Sequence, residues 1–93
     1  MNLEEAQTVL RGELDRYRSN SRVDLQRLLS KQDIKEVRGA SGTIYQVEIE
    51  AVWDDRVGGD LRVLGHIDDG GIREFAPLTR DFIVAPDGSF VDE

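Results

Sequence analysis

Tyr45, Val47, Ile49, Ala51 and Trp53 recur at every second position of segment 42–54, with Gln46, Glu48 and Glu50 filling the gaps. A period of two sends the first set to one face of an extended strand and the second set to the other. The alternation runs to about twice the usual strand length, so it predicts a long strand with one buried and one wetter face. Leu61, Val63, Gly65 and Ile67 alternate in the same way with Arg62, Leu64, His66 and Asp68. Asp54-Asp55-Arg56-Val57-Gly58-Gly59-Asp60 separates the two runs as a polar, glycine-containing loop of hairpin length. A hairpin closed evenly about that loop sets Trp53 opposite Leu61, Ala51 opposite Val63, Ile49 opposite Gly65 and Val47 opposite Ile67. These are all inner-face pairs, so the two periodicities support one register. Gly65 is expected to leave space beside Ile49, a place for a bulge or bend.

Upstream the period changes. Leu3, Ala6, Leu10, Leu14 and Tyr17 fall three and four apart among Glu4, Glu5, Glu13, Asp15 and Arg16, which predicts an amphipathic helix over residues 3–18. Asn2 is placed to cap it, and the two early glutamates suit the positive end of its dipole. Ser19-Asn20-Ser21 breaks the pattern, and Ser21 followed by Asp24 resembles a capping box with a shortened acid. Leu25, Leu28 and Leu29 then give one apolar face to a short second helix ending near Ser30.

From Asp33 the texture is strand and turn. Ile34 to Arg38 reads as a modest first strand and Gly39-Ala40-Ser41-Gly42 as a turn. After the central hairpin, Asp69-Gly70-Gly71-Ile72 signals a tight hairpin leading to a short strand at Ile72 to Phe75. Pro77-Leu78-Thr79 is expected to interrupt, and Phe82 to Ala85 to form the last strand. Pro86-Asp87-Gly88 is a turn after which Ser89-Phe90-Val91 returns.

The expected architecture is α+β within one domain, residues 1–93, helical over 3–30 and sheet over 33–92. An N-terminal helix plus a short second helix packs on a curved antiparallel β-meander of four to five strands. An eleven-residue strand spans about 36 Å and a sixteen-residue helix about 24 Å, so the sheet is expected to curl around the first helix.

Composition narrows the chemistry. The formal net charge is −7 and unevenly placed: residues 1–38 carry eight bases and seven acids, and residues 39–93 carry four bases and twelve acids. An acidic half repels phosphate backbones, which argues against nucleic acid as a partner. Arg16, Arg18, Arg22, Arg27, Lys31, Lys35 and Arg38 form a basic strip, but Tyr17 is the one aromatic within it. Solvated helix faces, or docking on acidic surface, account for it. Cysteine is absent, which removes disulfides and thiolate metal sites and suits a cytoplasmic setting. No run approaches the roughly 18 apolar residues of a membrane span. The start Met-Asn-Leu-Glu-Glu has neither the basic nor the apolar stretch of a secretory signal.

Candidate chemistry is sparse. His66 is the single histidine and falls opposite Glu48 on the outer face, a pairing usual for a solvated sheet surface. Asp54, Asp55 and Asp60 lie at one end of the central hairpin and Asp68 and Asp69 at the other, about 25 Å apart, too far to converge as a dyad or metal cage. The Asp54/Asp55/Asp60 loop offers carboxylates and carbonyls for loose Ca²⁺ or Mg²⁺ binding but matches no familiar calcium-loop spacing, so a solvated hairpin turn is the leading reading. The glycine pairs precede neither a lysine nor a helix N-terminus. Neither catalytic residues nor a cofactor or metal is expected. The suggestive surface is the outer face, where Ile44, Val52 and Leu64 stand among Gln46, Glu48, Glu50, Arg62 and His66. Leu64 faces Glu50 with Val52 diagonal to it. Such a face needs a cover, either the second helix, a partner or a second copy. Trp53, at the rim beside the acidic loop, is either a core anchor or an aromatic hot spot.

Trp53-Asp54-Asp55-Arg56 through Gly59-Asp60-Leu61-Arg62-Val63, Ile67-Asp68-Asp69-Gly70 and Ala85-Pro86-Asp87-Gly88-Ser89-Phe90 together resemble a group of small uncharacterised bacterial proteins over a little more than half the chain. The resemblance implies a free-standing bacterial domain and brings no catalytic residue with it. The leading expectation is a small acidic protein-interaction module, a homodimer or the ligand of a protein partner. The alternative is a small enzyme or ligand binder with a pocket between helix and curved sheet, drawing on Tyr45, Trp53, His66 and the acids of the outer face.

Overall fold

The computed structural model describes residues 2–70 and 78–91. Helix α1 runs Leu3–Arg18; the Asn2 side chain accepts the Glu5 N–H at 3.0 Å, and Glu4 and Glu5 occupy the first turn. The side-chain oxygen satisfies one of the amide groups that a helix start leaves without a partner. Ser21 caps helix α2, Arg22–Leu25, by accepting the Asp24 N–H at 3.1 Å. The chain then tightens into a 3₁₀ turn, Gln26–Leu29, so the expected second helix is split in two. Three residues per turn put Leu25 and Leu28 on one side, and both are buried.

Four antiparallel strands follow in sequential order: β1 Asp33–Arg38, β2 Ile44–Trp53, β3 Leu61–Asp68 and β4 Leu78–Val84. The β2–β3 register pairs Trp53 with Leu61, Ala51 with Val63, Ile49 with Gly65 and Val47 with Ile67, as the two periodicities require. The expected interruption at Leu78-Thr79 is not there: β4 already starts at Leu78 and pairs through Thr79 and Arg80 with His66 and Gly65. Arg80 holds an inner-parity position and is exposed, which breaks the apolar alternation and hides the strand in the sequence. β4 ends at Val84 rather than Ala85. The return of Ser89-Phe90-Val91 amounts to one bridge, Phe90 to Val84, with the Val91 N–H donating to the Ile83 carbonyl at 2.9 Å. The expected strand at Ile72 to Phe75, and the Gly71-Ile72 half of its hairpin, lie outside the described residues.

Both helical elements pack on the same side of the sheet. Ala6, Leu10, Leu14 and Tyr17 of α1 and Leu25 and Leu28 meet Tyr45, Val47, Ile49, Ala51, Leu61, Val63, Ile67, Phe82 and Val84 in one core. Gly65 departs from expectation. Pairing runs through it without a bulge, and the space is already filled: a Cβ there would stand 2.8 Å from Leu10 Cδ1 and 3.2 Å from Leu14 Cδ2. Here the helix lies directly on the strand backbone. β1 begins at Asp33, opposite Ile49, and residues 50–53 of β2 extend past it; Glu50–Val52 share a cleft with Leu28 and Leu29 of the 3₁₀ turn. Among the described residues no helix is long and apolar enough to cross a membrane.

Candidate functional site

Seven of the eight side chains marked by the sequence share one surface. Ile44, Glu48, Glu50 and Val52 of β2 and Arg62, Leu64 and His66 of β3 alternate with the core residues and point away from the helices. The flanking strands extend the surface. Ile34 lies beside Glu48, and Thr79, Asp81 and Ile83 lie beside His66, Leu64 and Arg62. Ile34 is 54% exposed, Ile44 40% and Val52 41%. The second helix joins the inner layer through Leu25 and Leu28, so it does not cover this face. Its trailing segment instead forms the side of an open cleft of about 500 Å³, between Leu28–Gln32 and Glu50–Val52.

Trp53 stands apart from the other seven. It has inner parity, pairs with Leu61 and packs against the edge of the core. Arg22 lies over its ring at 5.5 Å. The same guanidinium donates to the carbonyls of Gly58, at 3.2 Å, and Gly59. That contact holds the 54–60 loop against α2.

The charges of the outer face are unequally compensated. Arg62 is gripped between two carboxylates: its guanidinium reaches Asp54 Oδ1 at 2.6 Å and also pairs with Asp81. His66 keeps its predicted register opposite Glu48, but its ring contacts lie elsewhere. Nδ1 is 3.0 Å from Thr79 Oγ1 and Nε2 is 3.3 Å from Glu50 Oε2. Arg62 thus leaves Glu48 and Glu50 without its charge. Among the described residues no group of three or more His, Asp or Glu side chains converges to hold a metal, and in the acidic loop Asp54 is taken by Arg62.

Much of the basic strip is engaged by the protein's own acids and rings. Arg27 makes a two-pronged contact with Asp33, each arm 2.9 Å, and Lys35 Nζ is 2.6 Å from the buried Glu13, which also faces Arg16. Arg18 lies over the rings of Phe82 and Phe90 at 4.8 and 5.1 Å. These contacts explain why two of the three inner positions of β1, beside the apolar Val37, are charged. Asp33 and Lys35 meet charged helix residues where the other strands present aliphatics. No local periodicity joins helix residues to β1 in this way, so the sequence pattern does not reveal the network.

Both tyrosines of the chain are fastened to carboxylates. Tyr45 Oη donates to Glu5 Oε1 at 2.7 Å, and Ser41 adds its hydroxyl at 2.7 Å and its N–H at 2.8 Å to the same carboxylate. Gly39 admits this carboxylate, since a Cβ there would lie 2.6 Å from Glu5 Oε1. Tyr17 Oη donates to Asp33 Oδ2 at 2.6 Å. Burial and the Asp33 acceptor push Tyr17 up to about 12, and burial and Glu5 push Tyr45 up to about 12. The Tyr45 and Ser41 donors hold Glu5 below the usual carboxylate range, and the Arg27 donor does the same for Asp33.

These shifts fix the pH profile. The folded tyrosines bind their protons more tightly than the unfolded ones, whose pKa is about 10. Their contribution is therefore complete below about pH 10 and is lost as the pH rises toward the folded value. For the depressed carboxylates the contribution is present above about pH 4 and is lost as the pH falls through their folded values. Stability is expected to decline on both limbs, and tyrosinate absorbance should rise together with loss of the circular-dichroism signal of the fold. Tyr17→Phe/Tyr45→Phe should flatten the alkaline limb. Tyrosine ionisation near the ordinary value with the fold intact would contradict this.

The chain matches no protein-family model, no curated protein and no solved structure.

Proposed function

We propose that the chain is a small protein-interaction module that binds through its outer sheet face and has no catalytic activity of its own. The observation that carries this reading is the contrast between the two faces of one sheet. The apolar centre of the inner face is buried beneath the helices, whereas Ile34, Ile44 and Val52 on the outer face stay substantially exposed beside Leu64 and Ile83. Aliphatic side chains exposed among charges on an uncovered sheet face gain free energy when a second surface removes them from water. The enzyme reading receives less support. Tyr45 is held neutral against Glu5, His66 has a threonine and one glutamate as neighbours, and α1 sits directly on Gly65.

The test is site-directed photo-crosslinking in the source cell with mass-spectrometric identification. A crosslinker at Val52 or Leu64 is expected to capture a defined protein, and one at Thr8, on the exposed side of α1, is expected not to. Leu64→Lys should abolish capture while changing stability by no more than about 1 kcal/mol. Capture from Thr8 alone, or capture indifferent to Leu64→Lys, would overturn the assignment. Light scattering over a concentration series reads the homodimer directly.

A further inference from the structure

Building on the outer face as the binding surface, we infer that its partner is a cationic protein segment whose lysines or arginines alternate with aliphatic side chains, and not a second copy of this chain. Row by row, the face reads Ile34–Glu48–His66–Thr79, then Glu50–Leu64–Asp81, then Val52–Arg62–Ile83. Glu36, Gln46 and Asp68 form a further row beyond Glu48. Among the described residues the carboxylates of these rows are Glu36, Glu48, Glu50, Asp68 and Asp81 and the permanent cations are Arg38 and Arg62, with Lys31 bordering the cleft beside Glu50. Arg62 is clamped between Asp54 and Asp81, and Arg38 lies at the far end of the sheet beside Ile44. Neither arginine reaches Glu48 or Glu50 at the middle of the surface; the ionisable neighbour of Glu50 is His66, at 3.3 Å, and each glutamate has an aliphatic neighbour, Ile34 or Leu64.

That arrangement selects among occupants. Two copies pairing through this face would form an isologous contact about a two-fold axis, in which central residues meet their own equivalents. Glu48 and Glu50 would then face glutamates in a surface losing its water, and like charges so placed repel. Nucleic acid and anionic lipid are repelled for the same reason. A segment bearing cations spaced among aliphatic residues satisfies both kinds of side chain at once, neutralising the two glutamates while covering Ile34, Val52, Leu64 and Ile83.

Two synthetic amphipathic peptides of equal length and leucine content, one with lysine and one with glutamate as the polar residue, provide the probes. They are titrated into the isotopically labelled full chain and followed by nuclear magnetic resonance. The leucine–lysine peptide is expected to shift the amides of Ile34, Glu48, Glu50, Leu64 and Ile83 saturably, and the leucine–glutamate peptide to leave them in place. Glu48→Lys/Glu50→Lys should weaken binding at least about tenfold. Glu48→Gln/Glu50→Gln, a milder change, should weaken it several-fold. Asp55→Lys/Asp60→Lys, which alters net charge equally in the acidic loop, should leave affinity within about twofold, separating a located site from general attraction. Equal response to both peptides, shifts confined to residues 54–60 or α1, or indifference to the Glu48/Glu50 changes would each overturn the cationic partner. Shifts of the same outer-face amides on raising the protein concentration alone would do so too, while preserving the face as an interface. Stillness of those amides under every probe would remove both this partner class and the interaction reading beneath it.

Discussion

Leu10→Ala is expected to remove about 3 kcal/mol from the unfolding free energy, within the 2–5 kcal/mol range for a fully buried leucine. Leu10 is completely shielded from water, and its Cδ1 is the nearest atom to any side chain built at Gly65. A domain of this size holds about 5–15 kcal/mol in all, so the loss is a large share. Gly65→Ala should also destabilise, by about 1–3 kcal/mol, because its methyl must displace atoms of a packed core. The pair is expected to be non-additive. With Leu10 truncated, the new methyl enters the vacated space, and the double variant should be more stable than the sum predicts by about 1 kcal/mol or more. Urea unfolding of the four proteins checks this. Strict additivity would show that α1 does not lie on the backbone of β3.

Asp33→Ala is the second large expected effect, a loss of about 2–3 kcal/mol. It removes the acceptor of Tyr17 Oη and of both Arg27 arms at once, leaving a part-buried hydroxyl without its partner. Tyr17→Phe removes donor and demand together and should lose only about 1 kcal/mol. In the Tyr17→Phe background Asp33→Ala is therefore expected to cost less than in the native chain. Thermal unfolding of the single and double variants measures the difference. An Asp33→Ala protein as stable as the native one would place the anchoring of this helix end elsewhere.

Legibility in the sequence followed the kind of interaction involved. Helix α1 and the β2–β3 register were readable because burial repeats with a fixed period, and seven of the eight marked surface residues do share a face. The same parity set Trp53 on the other side, where Arg22 covers it. Ile34 and Ile83 escaped notice because a short strand's parity acquires a face only once its register with a neighbour is known. Arg80 concealed the start of β4 by placing a charge where the alternation calls for an apolar residue. Glu5–Tyr45 and Tyr17–Asp33 are separated by 40 and 16 residues, and no local pattern joins such pairs. Gly65 was recognisable as an empty position, but whether a bend or another element fills such a place is decided by the element packed against it.

The two tyrosine–carboxylate bonds differ in direction. Near one end of α1 the acid belongs to the helix and the phenol to the sheet; near the other the roles are exchanged. Glu5 and Tyr17, twelve residues apart, are separated by about 18 Å along the axis. A slide of one turn, about 5.4 Å, breaks both bonds together, and reversing the helix would set phenol against phenol and acid against acid. Oily ridges tolerate such slippage. This pair of mismatched clasps gives the helix a single polarity and a single axial setting, as a key with unlike ends enters its lock one way round.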